Sequence, residues 1–161
     1  MFSLFRPNIE IESVVDLTAA RLRGAGIDAL LLDVDCTLKR YGSSELLVGV
    51  SDWLLCVREA GIGLYLVSNG KNSRIRQLAE GIKIPFIAPA MKPLPFAIWR
   101  VMRLMNYDKK TTAMVGDQLF TDVLAGKFAG VLTILVKPQG ENEEPFFARI
   151  KRPFEKFFLK R

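Results

Sequence analysis

The sequence contains no histidine among its 161 residues. That excludes a Ser-His-Asp triad, a Cys-His nucleophile, a His-ligated zinc and the HExxH type of metalloprotease. Two cysteines, Cys36 and Cys56, make neither a CxxC pair nor a disulfide framework, and both are expected as reduced thiols. Cys36 has no imidazole to activate it as a nucleophile. No apolar run approaches the roughly 20 residues that span a bilayer. Residues 1–12 also lack the continuous apolar segment of a signal peptide, so a cytoplasmic chain is expected. Any metal must be held by oxygen, which favours Mg²⁺, and acid–base work falls to carboxylates or lysine.

Half the residues are apolar and a quarter charged, as expected of a globular chain with one substantial core. The net charge of +6 is unevenly spread. Residues 145–161 carry six bases (Arg149, Lys151, Arg152, Lys156, Lys160, Arg161) against Glu155 alone, interleaved with five phenylalanines. The reading is a body over 1–144 and a basic, aromatic helical tail over 145–161. On a helix, Phe147, Ile150, Phe154, Phe157 and Phe158 share a side opposite most of the bases. Such a helix either lies in the interface of an anionic membrane or docks its rings on the body. The first case makes the cytoplasmic protein peripheral on the inner face of a membrane. No specific nucleic-acid partner is expected.

Along the body, short apolar runs alternate with helical patterns. Strands are expected at 29–33, 64–67, 86–87, 112–115 and 131–136. Helices are expected at 17–23, 45–60, 72–80, 94–105 and 121–128. The fold class is therefore α/β: a three-layer, Rossmann-like parallel sheet of five strands with helices on both faces. Ligands of such sheets bind beyond the carboxyl ends of the strands.

The chemically notable residues fall at those ends. The run Leu30-Leu31-Leu32 delivers Asp33 and Asp35, one residue apart, into a turn that carries Thr37. On a strand they begin on one face, and two such charges repel unless a cation intervenes. Ser68 and Asn69 precede a helix and can seat a phosphate. Lys92 stands before Pro93 as a fixed cation. Asp117 and Asp122 supply further carboxylate in Gly116-Asp117-Gln118-Leu119-Phe120-Thr121-Asp122. Carboxylates, a metal and one lysine together suit a transferring phosphoryl group.

These motifs, DVDCT, the Ser of VSN, the Lys of KP and GDQLFTD, stand in the order found in the haloacid dehalogenase (HAD) superfamily, which the chain resembles from residue 30 to 136. The resemblance implies a phosphatase in which Asp33 attacks to form an aspartyl-phosphate. Asp35 would protonate the leaving oxygen and then activate water. Thr37, Ser68, Asn69 and Lys92 would bind phosphate, with Lys92 also restraining Asp33. Mg²⁺ would be held by Asp33, the backbone carbonyl of Asp35 and Asp117, with Asp122 in support. An aspartate at position 35 points to phosphatase or phosphomutase chemistry, since either needs proton transfer at the leaving oxygen.

Only 30 residues separate Thr37 from Ser68 and 23 separate Ser68 from Lys92, too few for the family's inserted cap domain. The expected site is open, suited to a phosphate on something large. The GDQLFTD…ILVKP segment and capless layout are most similar to the YqeG-type subfamily IIIA phosphatases. Those are similar in turn to the phosphatidylglycerophosphate phosphatases, so the expected substrate is a phosphomonoester on a phospholipid headgroup. The alternatives are the phosphate of a protein, a nucleic acid or a small metabolite, or a catalytically idle module that binds RNA or protein. A receiver-type signalling domain has a different order: there the Lys-Pro follows the last strand and the phosphorylated aspartate ends a middle strand, whereas here Asp117 comes after Lys92.

Overall fold

The computed structural model describes residues 2–140 and, beyond them, Pro153. The expected helix over 145–161 and its boundary at 144 lie outside the described residues, Pro153 apart. Six parallel strands form one sheet in the order β1-β6-β5-β2-β3-β4. They are β1 (Ile9–Ile11), β2 (Ala29–Leu32), β3 (Gly63–Val67), β4 (Phe86–Ile87), β5 (Thr112–Gly116) and β6 (Leu132–Val136). The helices are α1 (Ala19–Gly24), α2 (Val50–Glu59), α3 (Asn72–Ile82), α4 (Phe96–Met105) and α5 (Leu124–Ala129).

The expected five strands become six. The N-terminal arm adds β1 beside β6, where Ile9 is the register partner of Ile134 and Ile11 that of Val136. Three residues hold little more than one period of alternation, so the strand forms because β6 offers an edge.

Alternation along the central strand builds both layers. Leu30 and Leu32 point into a core shared with Leu22 of α1, Val50, Trp53, Leu54 and Val57 of α2, and Ile75 and Ala79 of α3. Leu31 points to the other face, against Ile98 and Val101 of α4 and Ala125 and Ala129 of α5. Leu30, Leu31 and Leu32 are fully buried, each contributing about 1.5–3 kcal/mol from burial.

Helix α2 starts at Val50 and not at the expected residue 45. Gly49 takes a left-handed φ of 80° just before it. The preceding loop is held by an N–H of Leu47 that donates to the Leu38 carbonyl at 2.9 Å. The segments between Thr37 and Ser68, and between Ser68 and Lys92, contain only α2, β3, α3, β4 and short loops, so no cap interrupts them. Among the described residues no helix is long and apolar enough to cross a membrane.

Candidate active site

The chain leaves β2, β3 and β5 at one edge of the sheet, on either side of the point where its direction of winding reverses. From β2 it passes outward to β3 and β4, then returns to β5 on the opposite side. Carboxyl ends at such a reversal leave a crevice. Into it go Asp33 after β2, Ser68 and Asn69 after β3, Lys92 after β4, and Asp117 after β5.

Lys92 is the hub. Its ammonium, 5 % exposed as a residue, donates to Oδ1 of Asp33 at 2.6 Å and to Oδ1 of Asp122 at 2.6 Å. Burial works against the charged lysine, but the Asp122 and Asp33 carboxylates outweigh it and hold the ammonium above its ordinary range. Burial also raises the Asp33 carboxyl to about 7. Lys92 opposes that rise and Asp122 adds to it.

Asp122 reaches this position through the local backbone. Residues Leu119–Val123 form one wide helical turn before α5, which brings the Asp122 carboxylate back over Gly116. The Gln118 N–H donates to Asp122 Oδ2 at 3.0 Å. A Cβ on Gly116 would fall inside that carboxylate, so the close approach requires glycine.

Oxygens of Asp33, Asp117 and Asp122 lie within 4.8 Å of one another, all three residues buried. This all-oxygen donor set fits Mg²⁺, and one buried ammonium beside three carboxylates leaves a charge deficit that a cation would fill. Thr37 donates its hydroxyl to Asp117 Oδ1 at 3.3 Å, so it orients that carboxylate.

Asp35 has different company. Strand β2 ends at Leu32, so two-residue alternation no longer governs the turn and the two aspartates turn to separate cations. Arg74 grips Asp35 with both ends of its guanidinium, at 2.7 Å to Oδ1 and 2.6 Å to Oδ2. Lys39 adds a contact at 3.1 Å. Burial pushes the Asp35 carboxyl up, but Arg74 and Lys39 prevail and hold it below its ordinary value.

Ser68 is buried and its Oγ accepts from the Gly70 N–H at 3.1 Å, a turn that aims the segment into α3. The Asn69 side chain is engaged with the main chain of Lys92, donating to its carbonyl at 2.9 Å and accepting from its N–H at 2.8 Å. Cys36, buried, adopts a left-handed φ of 61° inside the turn. Sequence reasoning missed Arg74 and Lys39. One signal existed: Arg74 is a base in the first turn of α3, where the helix dipole disfavours positive charge.

The family model described as HAD-hydrolase-like matches residues 89–148. The chain is similar to the probable phosphatase YqeG of Bacillus subtilis, 32% identical over 155 residues, covering 96% of this chain and 90% of that protein. It is also similar to the chloroplastic/mitochondrial phosphatidylglycerophosphate phosphatase 1 of Arabidopsis thaliana, 48% identical over 48 residues. That match covers 30% of this chain and 14% of the plant protein's length. Among solved structures, the cobalt-bound deoxy-D-mannose-octulosonate 8-phosphate phosphatase of Haemophilus influenzae shares the fold. Its TM-score is 0.53 at 18% identity, over 84% of this chain and 89% of that one. With its acidic strand ends and buried lysine in the family's order, the chain belongs to the HAD-like hydrolases and is one of their phosphatases.

Proposed function

We propose that this chain is a Mg²⁺-dependent phosphomonoesterase that works through an aspartyl-phosphate on Asp33, with a phospholipid headgroup phosphate, such as that of phosphatidylglycerophosphate, as substrate. The observation that carries the chemistry is the Lys92 ammonium locked between Asp33 and Asp122, with Asp117 alongside. Asp33, Asp117 and Asp122 would hold the metal, which when bound neutralises charge on the transferring phosphoryl group.

An oxygen of Asp33 attacks phosphorus as the bond to the leaving oxygen breaks, and Asp35 supplies the proton that oxygen takes. A water then attacks the phosphoryl group, giving its proton to Asp35, and Asp33 is regenerated with release of inorganic phosphate. Lys92 orients Asp33 and balances the charge that builds on the phosphoryl oxygens. Ser68 and the N–H groups of its turn lie where a phosphate is seated ahead of α3. For Asp35 to work, the guanidinium of Arg74 must leave it.

The lipid reading is supported by the capless site and by the surface beside it. Met91, Leu94, Phe96 and Trp99, which flank Lys92 and open α4, are 65%, 43%, 62% and 44% exposed. Residues 81–107 contain Lys83, Lys92, Arg100 and Arg103 and no acid. Phe96, Trp99, Arg100 and Arg103 recur at helical spacing on one exposed side of α4. Aromatic rings beside bases suit the interface of an anionic membrane.

The test is phosphate release, with Mg²⁺, from an aryl phosphate and from phosphatidylglycerophosphate in vesicles. Turnover of both, the lipid preferred, and its loss in Asp33→Asn are expected. Release from the aryl phosphate alone would end the lipid assignment, and release from neither would end the enzymatic one.

A further inference from the structure

Two cations, Arg74 and Lys39, meet at one carboxylate, Asp35. The cluster therefore carries one surplus positive charge at the mouth of the site. Arg74 is the more exposed of the two cations. Its side chain is 35% exposed, its guanidinium passes over Gly70 closely enough that a Cβ there would meet Nη2 at 2.6 Å, and the Tyr41 ring lies 5.9 Å away. Helix stability does not account for a base in the first turn of α3.

Beyond this pair opens a cavity of about 390 Å³ between the loop after Asp35 and α3. Lys39, Ser43 and Arg74 line one part of its wall, and Leu46, Leu78 and Ile82 line another. Its size is that of a site for a small organic group. Asp35 is the residue that protonates the leaving oxygen in the reaction above, so what borders Asp35 borders the leaving group.

We propose that this cavity is a leaving-group subsite, in which Arg74 and Lys39 receive a second phosphate group carried by the substrate's alcohol. The proposal rests on the phosphatase reading and adds the specificity. A guanidinium fork suits phosphate as well as carboxylate, so an incoming phosphate draws Arg74 off Asp35, and the apolar wall takes the carbon skeleton. Arg74 thus selects substrates with two phosphates over those with one.

The test compares propane-1,3-diol bisphosphate with propyl phosphate, and phosphatidylglycerophosphate with phosphatidic acid in vesicles. Each is measured as kcat/KM for wild type, Arg74→Ala and Arg74→Lys, and as calorimetric affinity for the same proteins carrying Asp33→Asn. The wild type should favour the doubly phosphorylated member by about tenfold to a hundredfold, the range for hydrogen bonds to a charged group. Arg74→Ala should erase that preference, chiefly through KM, and Arg74→Lys should restore part of it. Arg74 dependence in both pairs assigns the subsite to phosphate as such, and dependence in the vesicle pair alone assigns it to a lipid headgroup. Equal losses for both members of each pair, or no preference in the wild type, would overturn the proposal. The affinities decide the subsite even where turnover is absent, and absent turnover would count against the phosphatase reading alone.

Discussion

The Asn69 carboxamide holds the main chain of Lys92 at both of its polar groups, accepting from the N–H at 2.8 Å and donating to the carbonyl at 2.9 Å. The loop after β3 thereby sets where the Lys92 side chain starts from, across 23 positions of sequence. Asn69→Ala should lower kcat for an aryl phosphate more than it raises KM, because Lys92 would lose its fixed approach to Asp33. The two lost hydrogen bonds should cost about 1–3 kcal/mol in urea unfolding. A variant with unchanged kcat would show that Pro93 and the packing of β4 suffice to place the lysine.

Removing the Lys92 charge leaves Asp33 and Asp122, buried beside Asp117, without the ammonium they share. Lys92→Met should destabilise the metal-free protein by about 3–5 kcal/mol, the range for a buried pair that loses one partner. Adding Asp122→Asn should recover part of that loss, since one uncompensated carboxylate is gone. Simple additivity of the two substitutions in denaturant melts would contradict the coupling.

The pH dependence follows from Asp33. Its folded value of about 7 lies above the ordinary 3.8 because burial disfavours the carboxylate. A raised value means that the protonated form favours the fold: its contribution is complete below 3.8 and is lost as pH rises through about 7. Asp35 is lowered, so its contribution is present above 3.8 and disappears only in more acidic solution. The Tm of metal-free protein should therefore fall as pH rises from the ordinary value of 3.8 to about 7, the interval between the unfolded and folded Asp33 values. Mg²⁺ competes with that proton, so the rise in Tm that it produces should grow over the same window. Asp33→Asn should flatten both trends; a wild-type profile already flat would remove Asp33 from the account.

The exposed ridge that opens α4 should bind anionic surfaces. Phe96→Ser with Trp99→Ser should reduce co-sedimentation with phosphatidylglycerol vesicles by about tenfold or more, the loss expected for withdrawing two aromatic side chains from the interface. Hydrolysis of a soluble aryl phosphate by the same double variant should continue. Truncation of residues 145–161 separates the two candidate surfaces. Full binding by the truncated protein would assign the membrane contact to α4, and full binding by the double variant would assign it away from α4.

Much of the fold was legible in the chain. The central strand at 29–32 is a run of apolar residues because both of its faces are covered, and buried strands announce themselves in that way. The helices after Gly70 and Pro93 were placed to within two residues at their starts, since turn residues mark them. The start of α2 was misplaced because a polar loop that folds back on Leu38 has no periodic signature. Strand β1 escaped because three residues cannot show alternation.

The same division holds at the site. That Asp33, Asp35, Ser68, Lys92 and Asp117 stand at one end of a parallel sheet is legible in the order of strands and motifs, since the strand-ending positions of a βαβ chain all face one crevice. That no cap covers them is legible in two short segments. The partners of these residues came from the packing of the folded chain. Asp122 became the second carboxylate on Lys92 because a wide helical turn carries it back over Gly116. Asn69 became a clamp, and Arg74 came to hold Asp35 from a different helix. Strand ends are a property of local pattern, whereas ion pairs across 30 and 39 positions of chain depend on how helices pack on the sheet.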